Sequence, residues 1–255
     1  MQLSDYLKER RSTKPVLVMT HVVCGYPSFE DNWRELEIMA EFGVDLVELQ
    51  FPFSEPSADG PLFVKANQVS LANGTTVDDC LEFMSRVAAH FPFKVLMMGY
   101  YNTAFKMGHE AYIERLAEAG ASGFILPDLP LEESAQLHKL AADNELAPIM
   151  LMTPTNSPER LALLGRAAKG FVYAVARKGV TGSETSMDDE LIGFLDSCKA
   201  VIDVPLAVGF GVSRKSDIEF IGKHADIAII GTAALRAWEE GREDALRTFF
   251  SAIGI

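Results

Sequence analysis

Cysteine and histidine are scarce, with three and five copies in 255 residues. Cys24, Cys80 and Cys198 are odd in number and widely spaced, with no CxxC. That excludes a disulfide framework and points to a reducing compartment, the cytoplasm. His21, His90, His109, His138 and His224 never fall at HxxxH or at a histidine–carboxylate ligand spacing, so no metal is expected. There is no GxSxG elbow to support a nucleophilic serine, and neither a GxGxxG fingerprint nor a P-loop. No stretch reaches about 18 uninterrupted apolar residues, so no membrane span is expected. The N-terminus, Met1 to Arg11, lacks an apolar signal core and reads as a short amphipathic helix. Positive charge is outnumbered: 23 Lys and Arg stand against 36 Asp and Glu, a formal net charge of −13. A nucleic-acid backbone is therefore a poor partner, although a small anion can still bind at a helix N-terminus. Domain-sized composition shifts, low-complexity tracts and short-period repeats are also missing, so one domain over 1–255 is expected.

What is present is a rhythm. Apolar residues make up 48% of the chain, and short apolar runs alternate with segments of three- and four-residue apolar spacing. The candidate strands are Val16–Val23, Val44–Leu49, Phe93–Met98, Gly123–Leu126, Ala147–Leu151, Gly170–Val175, Pro205–Val208 and Asp226–Ile230. Helical patterns lie between them, over 33–42, 77–90, 111–119, 133–143, 158–167, 189–199 and 213–221. Thr76, Ser157 and Ser213 are candidate N-caps, and Gly43, Gly120 and Gly222 candidate left-handed C-caps. Eight βα units in about 250 residues predict an α/β fold, a closed (β/α)8 TIM barrel, with an open doubly wound sheet as the alternative. Extra helices are expected at the N-terminus, after strand 2 (61–74), and at the end (232–240 and 243–253).

In such a barrel, function sits where strands end and helices begin. Residues 45–61, DLVELQFPFSEPSADGP, concentrate the candidates. Period-two alternation puts Leu46, Glu48 and Gln50 on one face of the second strand and Val47 and Leu49 on the other. A carboxylate there is costly to bury without a partner or a task. Glu48 is thus either a proton donor and acceptor with a raised pKa or a structural acid bonded to a neighbour. Asp59, on the proline-rich loop that follows, reads by itself as an Asx-turn residue. As a pair, the two acids could face one ligand from two sides, which requires that they share a cavity.

Further candidates lie after later strands. Gly209-Phe210-Gly211 and Gly231-Thr232-Ala233 offer backbone amides where such barrels bind phosphate, although a lone GxG is often only a tight turn. Arg177-Lys178-Gly179-Val180-Thr181-Gly182 reads as a lid or as an ordinary flexible loop. Tyr173 either presents its hydroxyl to a ligand or fills the barrel. Asp128, at the end of strand 4, is either catalytic or a cap of the helix that follows, and a supporting role is expected of it.

Taken in order, these motifs resemble the tryptophan synthase alpha subunit family over essentially the whole chain. The specific elements are Pro52-Phe53-Ser54-Glu55-Pro56 with Ala58-Asp59-Gly60-Pro61, Tyr100-Tyr101-Asn102, and Asp128-Leu129-Pro130 before Glu132-Glu133. The loop 177–182 and the two glycine loops complete the set. The resemblance implies a lyase that cleaves indole-3-glycerol phosphate to indole and glyceraldehyde 3-phosphate by a retro-aldol step. The family's catalytic pair falls on Glu48 and Asp59. Its phosphate-site amides fall on Gly182, Gly211, Gly231 and Thr232, with Thr181 alongside. Phe210 and Met98 would line the indole pocket, with Tyr173 near the reacting end. The implied partner is a PLP-dependent beta subunit in an α2β2 assembly, with Glu55 and Asn102 on partner-facing loops and no cofactor in this chain. Departures from the family's habit are His21 where Phe or Tyr is common, Gln50 in place of a frequent Gly, Val64 where Gln is usual, and Gly99 before Tyr100. A stand-alone indole-releasing lyase and a non-catalytic activating subunit are the alternatives.

Overall fold

A computed structural model describes residues 2–176, 189–209 and 211–255. Every apolar run foreseen above forms parallel sheet. The strands are β1 (Leu17–Val23), β2 (Leu46–Gln50), β3 (Lys94–Met98), β4 (Gly123–Ile125), β5 (Ala147–Pro148), β6 (Met150–Met152), β7 (Val172–Val175), β8 (Leu206–Gly209) and β9 (Ile227–Ile230). The fifth predicted strand is split at Ile149, because Pro148 has no N–H to give to a ladder. Its first half pairs with β4 and its second with β7. The sheet order is β5-β4-β3-β2-β1-β9-β8-β7-β6, so its two ends are neighbours in the chain. That closes the (β/α)8 barrel and removes the open sheet.

The helices are α1 (Leu3–Arg11), α2 (Phe29–Glu41), α3 (Pro61–Ala72), α4 (Val77–His90), α5 (Tyr101–Met107), α6 (His109–Glu118), α7 (Ala135–Asp143), α8 (Pro158–Ala167), α9 (Asp189–Lys199), α10 (Lys215–His224) and α11 (Thr232–Ile253). The extra helices α1, α3 and α11 stand where expected. Non-helical Gly241 and Arg242 break α11 at the foreseen division. Only seven residues long, α5 is too short to show a periodicity and was not foreseen.

Thr76 caps α4 in a reciprocal box with Asp79, and Ser157 caps α8. Ser213 does not cap α10. The helix starts two residues later, and the Asp217 carboxylate accepts from the backbone N–H of Ser213 (2.8 Å) and Arg214 (2.9 Å). A backward-reaching acid replaces the expected hydroxyl. Gly43 and Gly120 take the left-handed conformation, with φ of 69° and 80°. Gly222 lies inside α10 instead, where a Cβ would stand 3.3 Å from the Pro15 carbonyl oxygen. It serves close packing rather than termination.

Strand alternation sorts the core into two shells. Leu17, Met19, Leu46, Leu96, Met98, Ile125, Phe171, Ala207, Ile227 and Ile229 fill the barrel. Val18, Val47, Leu49, Val95, Met97, Val172 and Val208 face the helices. Leu3 and Leu7 of α1 join the inner cluster and plug the N-terminal end.

That plug is fastened by Asp45, immediately before β2. Its fully buried carboxylate accepts from Arg10 (2.7 and 3.0 Å), Lys14 (2.9 and 3.0 Å) and the Val18 N–H (3.0 Å). Hydrogen bonds to a charged group contribute about 1.5–3 kcal/mol each, and cutting a buried pair strands its partners. Asp45→Ala should therefore lower the stability measured by urea unfolding by about 3 kcal/mol. Turnover should change little, because Asp45 lies at the barrel end away from the cavity described next.

Candidate functional site

The second strand delivers Glu48 and Gln50 into the barrel at its C-terminal mouth, as their parity with Leu46 dictates. Both are buried, Glu48 at 3% exposure. Beyond β2 the chain leaves the sheet through Pro52 and Pro56 and turns back. Phe53 stacks on Tyr100, with ring centroids 5.0 Å apart, and the Tyr100 hydroxyl accepts the Ala58 N–H at 3.0 Å. These contacts pull Asp59 over the barrel mouth. Its Oδ2 accepts from Gln50 Nε2 (2.7 Å) and Asn67 Nδ2 (3.3 Å). Asp59 is thus more than a turn residue, since its carboxylate is held by side chains from β2 and α3.

Glu48 and Asp59 line one cavity of about 120 Å³ that opens to solvent at this mouth. Met98, Tyr173, Gly211, Gly231 and Thr232 line it too. Thr181, Gly182 and Phe210 lie outside the described residues. Gly231 and Thr232 form the start of α11, whose first N–H groups have no intrahelical acceptor. Two glycines here are sterically required. A Cβ on Gly209 would meet the Tyr173 ring at 2.9 Å, and Gly211 has φ of 93°. Among the described residues no His, Cys, Asp or Glu cluster is placed to hold a metal ion.

Asp128 does not cap the helix that follows it. Its Oδ1 accepts the Tyr101 N–H at 2.8 Å, at the start of α5. Glu55 and Asn102 are exposed. Three groups in or behind the cavity wall were not singled out as site residues from sequence. His21 stacks on Phe63 (4.3 Å, 19° between planes) and lines the cavity. Gln50 and Asn67 grip Asp59. Alternation already placed His21 with Met19 and Gln50 with Glu48, but nothing local to α3 marks Asn67.

A family model for the tryptophan synthase alpha chain matches residues 7–251. The tryptophan synthase alpha chain of Desulforapulum autotrophicum is 44% identical over 251 residues, covering 98% of this chain and 99% of that one. Its counterpart from Syntrophotalea carbinolica is 45% identical over 253 residues, with 98% and 99% covered. Among solved structures, tryptophan synthase of Mycobacterium tuberculosis superposes with a TM-score of 0.90 at 31% identity, covering 98% of this chain and 96% of that one. The chain belongs to the tryptophan synthase alpha chain family. It is a carbon–carbon lyase that cleaves indole-3-glycerol phosphate in tryptophan biosynthesis. Members of this family assemble with a beta subunit.

The electrostatics of the mouth suit an alpha-chain reaction that moves protons. Burial, with the Asp59 charge as a smaller cause, pushes the Glu48 carboxyl up to about 8. Its Oε2 is buried with no hydrogen-bond partner among the described residues. Burial also raises Asp59, but hydrogen bonds from Gln50, Tyr100 and Asn67 oppose the rise. Burial pushes His21 down to about 4, against the pull of the Gln50 amide. Near neutral pH, Glu48 and His21 are therefore both uncharged.

Glu48 carries a cost in stability. In the unfolded chain it loses its proton near 4.5, whereas in the native barrel it holds it to about 8. Native protein binds the extra proton in that window, so its contribution to stability falls as pH rises from about 4.5 to 8. At about 1.4 kcal/mol per unit the loss approaches 5 kcal/mol, an upper bound. Glu48→Gln should thus be more stable than the parent by an amount that grows across that window, read by chemical denaturation at stepped pH. Parallel curves would show that Glu48 ionises normally in the folded state.

Proposed function

We propose that Glu48 is the acid–base catalyst of the lyase and Asp59 the group that stabilises charge on the indole ring. The observation that carries this reading is that the two carboxyls share one cavity while their environments differ: Glu48 is unpaired, and Asp59 is gripped by amides. Indole is a poor carbanion leaving group, so C3 must gain a proton before its bond to the glycerol carbon breaks. A carboxyl with a pKa near 8 carries that proton at pH 7. Glu48 gives it to C3, and positive charge develops on the ring nitrogen. Asp59 accepts the indole N–H in a charge-assisted hydrogen bond that strengthens as this charge grows. The glycerol hydroxyl then loses its proton to Glu48, the carbonyl of glyceraldehyde 3-phosphate forms, and the electrons of the broken bond restore indole. One proton is given and one is recovered, so Glu48 ends as it began.

Met98 lines the indole end of the pocket in this reading, with Tyr173 near the reacting end. Gly211, Gly231 and Thr232 contribute amides to the phosphate, helped by the positive end of α11. Holding the phosphate remotely positions the reacting carbon against Glu48. We assign the whole chain, 1–255, to one barrel domain of a cytoplasmic enzyme. Its partner is a PLP-dependent beta subunit in an α2β2 assembly, met by the exposed loops that carry Glu55 and Asn102. The stand-alone indole-releasing lyase remains the second reading, because His21, Gln50, Val64 and Gly99 depart from the family's habit near the pocket and the partner face.

The purified chain should release indole from indole-3-glycerol phosphate, faster with a beta subunit present; full turnover without one would favour the stand-alone reading. Glu48→Gln should lower kcat by about a hundred- to ten-thousand-fold, the usual range for an acid–base group. Turnover of the parent should fall as pH rises through about 8, where Glu48 loses its proton. Wild-type turnover by Glu48→Gln would end the assignment.

A further inference from the structure

Two polar side chains at the barrel mouth, Gln50 behind the cavity wall and His21 in it, have no part in that mechanism. Gln50 leaves β2 two residues after Glu48 on the same face. His21 stands opposite Glu48 in the β1–β2 register, and Val23 opposite Gln50. Gln50 is completely buried, and its amide has a defined orientation. Nε2 donates to Asp59 Oδ2 at 2.7 Å and, at 3.4 Å, to Asn67 Oδ1. An ionised carboxylate only accepts, so the NH2 faces Asp59 and the carbonyl points elsewhere. That carbonyl oxygen is buried without a partner among the described residues, as is His21 Nε2. Gln50 is also the side chain that favours proton binding by the His21 ring.

Asn67 reinforces the arrangement. Its Nδ2 donates to Asp59 Oδ2 (3.3 Å) and to the Phe63 carbonyl (2.8 Å), while its Oδ1 takes the Phe53 N–H (2.8 Å). Two amide donors therefore converge on one oxygen of Asp59, with the Tyr100 hydroxyl as a third partner of the carboxylate. A carboxylate held by one oxygen cannot swing its other oxygen off target.

We propose that Gln50 is a positioning residue for the lyase: its amide grips Asp59 Oδ2 and sets the angle at which the carboxylate meets the indole nitrogen. The inference rests on the role given to Asp59 above. It adds that this chain does with Gln50 what a glycine at position 50 could not do. Phosphate anchoring lies across the cavity, so losing the grip should affect kcat and spare KM. It should also make Asp59 harder to ionise, since Gln50 favours the charged form. The other titratable groups facing Asp59 are Glu48 from β2, Tyr100 from the end of β3, and His21 from β1 beyond Gln50.

The test compares Gln50→Met, which keeps length and bulk without the amide, with the shorter Gln50→Leu and with Asp59→Asn. Each full-length chain is assayed with saturating beta subunit, and kcat, KM and the kcat–pH profile are measured. Gln50→Met should lower kcat about tenfold, the loss expected for one hydrogen bond to a charged group, with KM within about twofold. Its acid limb should move up by about one pH unit. An unmoved acid limb and parental kcat in Gln50→Met, with Asp59→Asn inactive, would overturn the proposal alone. An active Asp59→Asn would instead overturn the role of Asp59. If Gln50→Met does not fold, Gln50→Leu carries the test, and an unmoved limb in that variant overturns the proposal.

Discussion

The second strand opens on one buried acid and carries another three residues later, and their contrast governs the molecule. Asp45, at the N-terminal end, is enclosed by two cations and a backbone N–H. Glu48, near the C-terminal end, keeps an oxygen without any partner among the described residues. Both are denied water, but only Asp45 is given a substitute for it. Desolvation without compensation is what holds a proton on Glu48 at neutral pH. The inner shell of Met19, Leu46, Leu96 and Ile229 maintains that condition, because it leaves the carboxyl nothing polar beneath it. Closure of the barrel is a prerequisite, since an open sheet would let water reach the carboxyl from below.

A strained site needs stiffness around it. Asp59 belongs to a loop, the kind of segment that ordinarily moves, yet four side chains fix it: Gln50, Asn67, Tyr100 and, through stacking, Phe53. Prolines at 52 and 56 reduce the conformations the loop can sample when unfolded. At the other end, α1 is drawn against the barrel by Arg10 and Lys14. Ion pairing thus serves stability at the closed end, and the lack of it serves chemistry at the open end, as is usual for folds whose loops carry function on a rigid frame.

The frame was legible in the sequence because it rests on short-range rules. Period-two alternation placed Glu48 inside, Thr76 and Ser157 announced their helices, and Gly43 and Gly120 took the left-handed turns expected of them. The failures occurred where a distant group competed. Ser213 looked like a cap, but the helix starts two residues later and the Asp217 carboxylate reaches back to the N–H groups of Ser213 and Arg214. Gly222 looked like a terminator, but the pressure on it comes from the Pro15 backbone. Asp128 serves a helix that begins 27 positions before it. Among site residues, the acids were readable because a lone carboxylate in an apolar run is conspicuous. The Gln50 and Asn67 amides were not, since an uncharged amide looks alike on paper whether it faces solvent or holds a carboxylate.

The placement of His21 beside Glu48 makes one last physical point. An imidazole and a carboxyl on adjacent strands at paired positions would, at a surface, share a proton as an ion pair. Here the proton stays on the carboxyl. Burial moves the two groups in opposite directions, His21 to about 4 and Glu48 to about 8, so between those values neither is charged. An imidazolium–carboxylate pair would leave Glu48 with nothing to donate and would set a full charge against an apolar ring. The neutral pair leaves Asp59, steadied by amides, as the acid best able to stay ionised. A single anion then meets the ring at the atom where positive charge develops, and the proton waits where carbon needs it. The same loss of water that weakens the fold at this point therefore assigns each carboxyl its role.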